Sequence, residues 1–166
     1  RLQGDWSSDV CSSDLLLEIN PEANITAYQK IYQAETAEEF HMEEYDFIID
    51  AIDSLKDKAD LILRATALPK EITFVSSMGA ALRCDPFMVR KAEFWKVDGD
   101  PLARALRKKF KKNKTFPSRK FQCVYSVEKP MQNMGENCEY SPTKAQINGS
   151  LCHITATFGM AIAGMV

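Results

Sequence analysis

The chain has 166 residues, 45% of them hydrophobic, a composition typical of one domain with a real core. Its net charge of −2 hides an asymmetry, because residues 1–60 carry 15 acidic and 4 basic side chains and residues 61–166 carry 8 and 17. Five cysteines without a CxxC pair and two histidines argue against a zinc module, and they favour reduced thiols in a cytoplasmic protein. The apolar run at 154–166 is too short to span a bilayer, so we do not expect this fragment to attach to a membrane, and attachment through a longer C-terminal tail stays open.

The chain begins with a segment that does not resemble folded protein. Residues 1–15 read RLQGDWSSDVCSSDL, rich in Ser and Asp and without hydrophobic periodicity. The string resembles translated sequencing-adapter sequence, so we predict a non-native leader at 1–15 followed by a domain at 16–166.

Helical and strand-like patterns alternate after this leader. In the first part of the chain we predict a helix end at 15–19, a strand at 23–28, a short helix opened by a capping box at 36–39 and a strand at 46–52. In the middle we predict a helix from 55 that Pro69 stops, a strand at 72–77, an additional strand at 87–97 and a helix opened by Asp100 and Pro101. In the last part we predict a strand at 121–127, a long polar loop at 129–148 and a final helix capped by Ser150. This alternation predicts an α/β fold with a mainly parallel sheet.

The run YDFIIDAIDS at 45–54 carries the first candidate site. An almost wholly apolar strand ends in Asp50 and Asp53, and a helical pattern follows at once. Ligands collect at the carboxyl ends of parallel strands, where a carboxylate can hold a Mg²⁺ ion that bridges phosphate oxygens. Ser54 and Asp57 also fit a capping box, so a purely structural interpretation stays open.

The second candidate site is basic. Residues 104–120 contain nine Lys or Arg and no acidic residue, on a helix whose apolar stripe is Leu102, Leu106 and Phe110. Such a face suits sequence-independent contact with nucleic-acid phosphates, although a solvated helix face is the alternative. The candidate nucleic-acid-binding residues are Arg104, Arg107, Lys108, Lys109, Lys111, Lys112 and Lys114.

Six motifs in order carry a family resemblance over about residues 16–166. They are INPEANITAY, YDFIIDAIDSLKDKADLI, ITFVSSMGAALRCDPFMV, DGDPLARALRKKFKK, FQCVYSVEKP and SLCHITATFGM. Together they resemble the tRNA threonylcarbamoyladenosine dehydratases, a family of the E1-like ThiF/MoeB/HesA superfamily. The resemblance implies a Rossmann-like ThiF-type fold, of which this chain would lack the N-terminal glycine-rich βαβ unit.

The resemblance also implies a reaction and its participants. Family members use ATP and Mg²⁺ to adenylate the carboxylate of a threonylcarbamoyl group on tRNA, and loss of AMP then closes a ring. Asp53 matches the family aspartate that serves Mg²⁺ and ATP, and is the implied catalytic and metal-binding residue. Asp50 would shape the same turn, and Lys58 would contact a phosphate or be a solvated helix lysine. The implied partners are tRNA, a second copy of the enzyme and a sulfur-relay protein.

Several expectations follow from what the motifs lack. The family's glycine-rich loop and its N-terminal arginine and lysine have no counterpart here, so we expect a fragment that is inactive alone. Two other functions stay open: adenylation of a sulfur-carrier protein, and a non-catalytic remnant that docks tRNA or a partner. We expect Cys123 and Cys152 to be buried, inert thiols.

Overall fold

The computed structural model describes residues 8–133 and 148–166, in two units, Arg1–Tyr32 and Gln33–Val166. The first unit contains α1 (Ser8–Ile19), which ends before Asn20 and Pro21 as predicted. The strand predicted at 23–28 is wrong, because these residues pair with no strand. Asn20 instead folds the chain into a turn, since its side chain accepts from the Glu22 N–H at 3.2 Å. The leader assignment at 1–15 stays a prediction.

The second unit contains the sheet and its covering helices. Its four described strands and three α-helices are β1 (Phe47–Asp50), α2 (Leu55–Ala67), β2 (Thr73–Ser77), β3 (Val89–Glu93), α3 (Pro101–Asn113), β4 (Gln122–Ser126) and α4 (Cys152–Ala163). Each strand lies inside a predicted one, and the additional strand is shortened at both ends by 3₁₀ turns at Pro86–Met88 and Phe94–Lys96.

The sheet has the order β1-β2-β4-β3. β1 pairs parallel with β2 and β2 parallel with β4, whereas β3 runs antiparallel to β4. The α/β fold with a mainly parallel sheet is therefore confirmed. The carboxyl ends of the three parallel strands meet at one edge, which we call the carboxyl edge.

Alternate strand residues face two separate cores. Phe74 and Cys123 point into a core that α2 and α3 cover, while Val75 and Val124 point into a second core built with α4. The inner strands β2 and β4 are buried on both faces, which is the pattern of a parallel sheet inside helical layers. The outer strand β1 is covered less completely, because Phe47 and Ile49 are 43% and 50% exposed.

Three local predictions need correction or fall outside the description. The 36–39 capping box opens only a 3₁₀ turn, Ala37–Phe40, and Thr36 makes no side-chain cap to it. The cap of α4 is Leu151, one residue after the predicted Ser150, and it also makes no side-chain cap bond. Most of the polar loop predicted at 129–148 lies outside the described residues. In the described parts of the chain, no helix is long and apolar enough to cross a membrane.

Candidate nucleotide site and basic helix

Asp53 lies in the short connection between β1 and α2, at the carboxyl edge. β1 ends at Asp50, and α2 begins after its N-cap Ser54, whose hydroxyl accepts from the Asp57 N–H at 3.4 Å. The N-cap bond of the capping box predicted from Ser54 is therefore present. Asp53 is exposed, so its carboxylate can meet a ligand at the edge where parallel sheets bind them.

Asp50, by contrast, is fully buried and its two oxygens are engaged. Its Oδ2 accepts from the Ser76 hydroxyl at 2.6 Å and lies 2.8 Å from the Lys58 ammonium. Its Oδ1 accepts from the Ile52 N–H at 2.9 Å. Asp50 thus joins the end of β1 to the end of β2 and shapes the turn that leads to Asp53, as we expected of it.

Lys58 reaches back from the first turn of α2 to complete this network. Its ammonium donates to the Ile52 carbonyl at 3.2 Å and pairs with Asp50, and both side chains have no exposed surface. The interpretation of Lys58 as a solvated helix lysine is therefore wrong. A helical periodicity places Lys58 beside the buried Ala59, but it cannot say that a buried carboxylate lies within reach.

The buried pair binds both backbone polar groups of Ile52. Asp50 binds the N–H of Ile52, and Lys58 binds its carbonyl. Because Ile52 precedes Asp53 directly, these bonds restrict where the Asp53 backbone can lie. A direct contact of Asp50 or Lys58 with a nucleotide remains a prediction, and the contacts present support an indirect role.

A second buried charge cluster follows β2, and the sequence predicted only the N-cap role of Asp100 within it. Asp100 caps α3 by accepting from the Ala103 N–H at 2.8 Å, and its Oδ2 accepts from the Gly79 N–H at 3.1 Å. The same oxygen lies 3.4 Å from the guanidinium of Arg83, which is 1% exposed. Burial lowers the pKa of Arg83, and the charges of Asp100 and Glu128 oppose that change.

Arg83 is incompletely satisfied within the described residues. Its Nε and Nη1 have no hydrogen-bond partner there. Nearby, the Glu128 carboxylate accepts from the Cys84 and Asp85 N–H groups at 2.9 and 3.0 Å. These contacts join the loop after β2 to the segment after β4 and to the N-terminus of α3, so they shape the carboxyl edge around Gly79.

The structure divides the predicted tRNA-binding residues of α3 into two groups. Arg107 and Lys109 are half-buried, and Arg107 donates to the carbonyls of Phe94 and Val97 at 3.0 and 2.8 Å. The other five candidates are exposed, namely Arg104, Lys108, Lys111, Lys112 and Lys114. We call these five the basic face.

The described cysteines are free thiols in different surroundings. Cys123 is buried between the sheet and α2–α3, and burial raises the pKa of its thiol well above the ordinary value. Cys152 is exposed at the start of α4, so the expectation that it is buried is wrong. His153 turns away from it, with Nε2 placed 2.9 Å from the Cys84 carbonyl.

Asp53 fits one mode of Mg²⁺ binding. The described residues contain no group of three or more His, Cys, Asp or Glu side chains placed to form a metal cage. Mg²⁺ bound with a nucleotide keeps several waters and needs only one or two carboxylates besides the phosphates. A single exposed carboxylate at the carboxyl edge suits that mode.

Comparison with known proteins finds relatives along most of the chain. The ThiF family model matches residues 10–166. The tRNA threonylcarbamoyladenosine dehydratase of Haemophilus influenzae is 33% identical over 164 residues, which cover 94% of this chain and 62% of that protein. The Bacillus subtilis protein of the same name is 34% identical over 116 residues, covering 70% of this chain and 44% of that protein.

Solved structures show the same fold. The crystal structure of Escherichia coli tRNA N6-threonylcarbamoyladenosine dehydratase in complex with ATP has a TM-score of 0.76 at 26% identity, covering 97% of this chain and 62% of that one. Its AMP complex gives 0.78 at 25% identity, with coverage of 97% and 63%. This chain therefore spans less than two thirds of each of these relatives.

Proposed function

The chain belongs to the ThiF family, and from this premise we propose that the complete protein is an ATP-dependent tRNA threonylcarbamoyladenosine dehydratase. The observation that carries the proposal is the similarity to dehydratases along nearly the whole chain, in sequence and in fold. The proposal concerns the complete protein, because the chain spans less than two thirds of those relatives.

The reaction activates a poor electrophile. A carboxylate oxygen of the threonylcarbamoyl group would attack the α-phosphorus of ATP, so that pyrophosphate leaves and an acyl adenylate forms. A nucleophile within the same modified base would then attack the acyl carbon, closing the ring as AMP leaves. The sum removes one water from the substrate and converts ATP to AMP and pyrophosphate. Ring closure within the substrate needs no cysteine relay, which agrees with the burial of Cys123.

Asp53 would hold the Mg²⁺ of the bound ATP, which would supply charge stabilisation at the phosphates. Its exposure and its place between β1 and the N-terminus of α2 support this role. Asp50 and Lys58 would position it, because they fix the neighbouring Ile52 peptide from inside the protein. The site would thus combine one exposed carboxylate with a buried, rigid support.

The tRNA would contact the basic face of α3. Five exposed cations on a stretch without acidic residues give a positive potential that suits a polyanion. We assign Arg107 a structural role instead, since its guanidinium binds the Phe94 and Val97 carbonyls. A tRNA substrate also agrees with the cytoplasmic location that cysteine usage favours.

The test uses the complete protein with tRNA that carries threonylcarbamoyladenosine. We expect the modified nucleoside to lose the mass of one water by mass spectrometry, with AMP released in equal amount and only when ATP and Mg²⁺ are present. Activation of a sulfur-carrier protein without any change in the tRNA nucleoside would contradict the proposal and favour the alternative adenylation reaction.

A further inference from the structure

Two aromatic rings lie exposed beside the C-terminal end of α3. Trp95 belongs to the 3₁₀ turn that follows β3, and Phe116 follows α3. Their side chains are 39% and 53% exposed, and their ring centroids are 6.2 Å apart at an interplanar angle of 42°. The two adjoining rings form an exposed apolar patch that a planar ligand can cover.

The Trp95 ring packs against the core. Trp95 packs edge-on against Phe94, with centroids 5.2 Å apart, and Phe94 is fully buried in the core. The backbone N–H of Trp95 donates to the Glu93 carboxylate at 3.1 Å. The Trp95 ring is therefore positioned by the fold before any ligand binds.

The end of α3 directs Phe116 toward Trp95. Lys114 adopts a left-handed conformation with φ of 53°, and the next N–H, of Thr115, donates to the Phe110 carbonyl at 3.1 Å. This reversal turns the chain out of the helix, and Phe116 follows directly. The aromatic pair thus lies next to the last turn of the basic face.

The charges around the pair suit a nucleic acid. Lys96 adjoins Trp95, while Lys111, Lys112 and Lys114 precede Phe116 by a few residues, and all four are exposed. Cations that bind phosphates beside aromatic rings that stack on bases are the combination found in proteins that bind single-stranded RNA.

We propose that Trp95 and Phe116 form a stacking platform for an unpaired RNA base, with Lys111, Lys112 and Lys114 binding the adjoining phosphates. Bases inside a duplex are already stacked, so the platform selects loops over stems. The choice of RNA rests on the proposed function, which makes tRNA the substrate. Trp95 and Phe116 would then be the place where a loop of that tRNA binds.

The first experiment measures RNA binding to the full chain without ATP. A Trp6→Phe background leaves Trp95 as the only tryptophan, so its fluorescence reports the platform directly. The probes are a short RNA hairpin with an unpaired loop and a fully paired RNA of equal length. We expect the hairpin to quench the emission and the duplex to leave it largely unchanged.

Substitutions then separate stacking from charge. We expect Phe116→Ala and Trp95→Ala each to weaken hairpin binding about tenfold, while Trp95→Phe retains most of the affinity. Because Trp95→Ala removes the fluorescent side chain, its affinity is measured by fluorescence anisotropy of labelled RNA. Phe87→Ala is the matched control, because Phe87 is 85% exposed and lies outside this aromatic pair. Lys111→Gln with Lys112→Gln should lower the salt dependence and leave quenching at saturation intact.

Three results would overturn the platform. One is unchanged hairpin affinity in Trp95→Ala and Phe116→Ala variants that keep the parent circular dichroism. Another is equal loss of affinity for hairpin and duplex. The third is a dimer that dissociates in Trp95→Ala while RNA causes no quenching, since a second copy would then cover the rings. A complete protein that binds the loop through these rings but does not dehydrate the nucleoside would contradict the proposed reaction alone.

Discussion

The carboxyl end of β1 and the basic face of α3 use charge in opposite ways. At β1, Lys58 and Asp50 pair 2.8 Å apart without exposed surface, and each is held by further hydrogen bonds. On α3, lysines such as Lys111 and Lys112 stand exposed with no acidic residue in 104–120 to balance them. The first arrangement fixes a backbone, and the second leaves a potential for a partner to neutralise.

The difference shows that the environment decides what a lysine does. A buried ammonium must be compensated inside the protein, so its loss damages the fold. An exposed lysine contributes little to stability, so its loss is felt mainly in binding. The two regions should therefore respond to the same substitution in different assays, which makes the comparison testable.

The largest effect is expected from Lys58→Met. It leaves the buried Asp50 carboxylate without its cation, which should lower the free energy of unfolding by about 3–5 kcal/mol. Urea denaturation measures this loss. The matched change Lys111→Met on the basic face should alter stability by less than about 0.5 kcal/mol. The double variant Lys58→Met with Asp50→Asn should recover part of the lost stability. Equal stability of Lys58→Met and Lys111→Met would contradict the contrast between the two regions.

The next largest loss of stability is expected at Asp100, a buried carboxylate that makes three interactions. Asp100→Ala removes the cap of α3, the acceptor of the Gly79 N–H and the charge partner of Arg83, and should cost about 3 kcal/mol. Asp100→Asn keeps a cap acceptor and should cost less. If the two variants unfold at the same urea concentration, the cap contributes nothing measurable and the ion pair accounts for the whole effect.

A change on the basic face should affect RNA binding alone. Replacing Lys108, Lys111 and Lys112 with Gln should weaken binding and lower the slope of log affinity against log salt by about 0.7 for each single-strand phosphate that is no longer neutralised. Filter binding at several salt concentrations measures the slope, and thermal unfolding should be unchanged within a few degrees. An unchanged slope would remove these residues from the RNA interface.

The smallest perturbation probes the thiols without substitution. Because burial raises the pKa of Cys123, its thiolate should be scarce throughout the neutral pH range, and the thiol should resist alkylation until the protein unfolds. Exposed Cys152 should react before Cys123. Iodoacetamide labelling at pH 8 followed by peptide mass spectrometry distinguishes them, and rapid labelling of Cys123 in the folded protein would contradict its burial.

The sequence predicted features that depend on local patterns. The apolar run before Asp50 predicted the parallel strand β1, and Asp100 with Pro101 predicted the start of α3, because period and capping are local signals. The run did not predict how far β1 is buried, since Phe47 and Ile49 are exposed at the outer side of the described sheet. The segment at 23–28 has β-forming residues, but strand formation needs a partner, which composition cannot reveal.

The sequence predicted the position of the candidate site but not the buried contacts that hold it in place. The motif located Asp53 at a strand end, yet nothing local distinguishes Lys58 from a solvated lysine, because its partners Asp50 and Ile52 come together only through tertiary folding. Arg83 was missed for the same reason. Its partners Asp100 and Glu128 lie far along the chain and meet it only at the carboxyl edge.

The central claim is that Asp53 holds the Mg²⁺ of bound ATP at the carboxyl end of β1. Calorimetry of ATP binding to the complete protein, with and without Mg²⁺, tests it through two matched variants. Asp46→Asn changes an exposed carboxylate just before the opposite end of the same strand, and Asp53→Asn changes the candidate ligand. The account predicts that Asp53→Asn abolishes the Mg²⁺-dependent part of the affinity with unfolding unchanged, and that Asp46→Asn binds like the parent. Equal Mg²⁺-dependent affinity in both variants would contradict it.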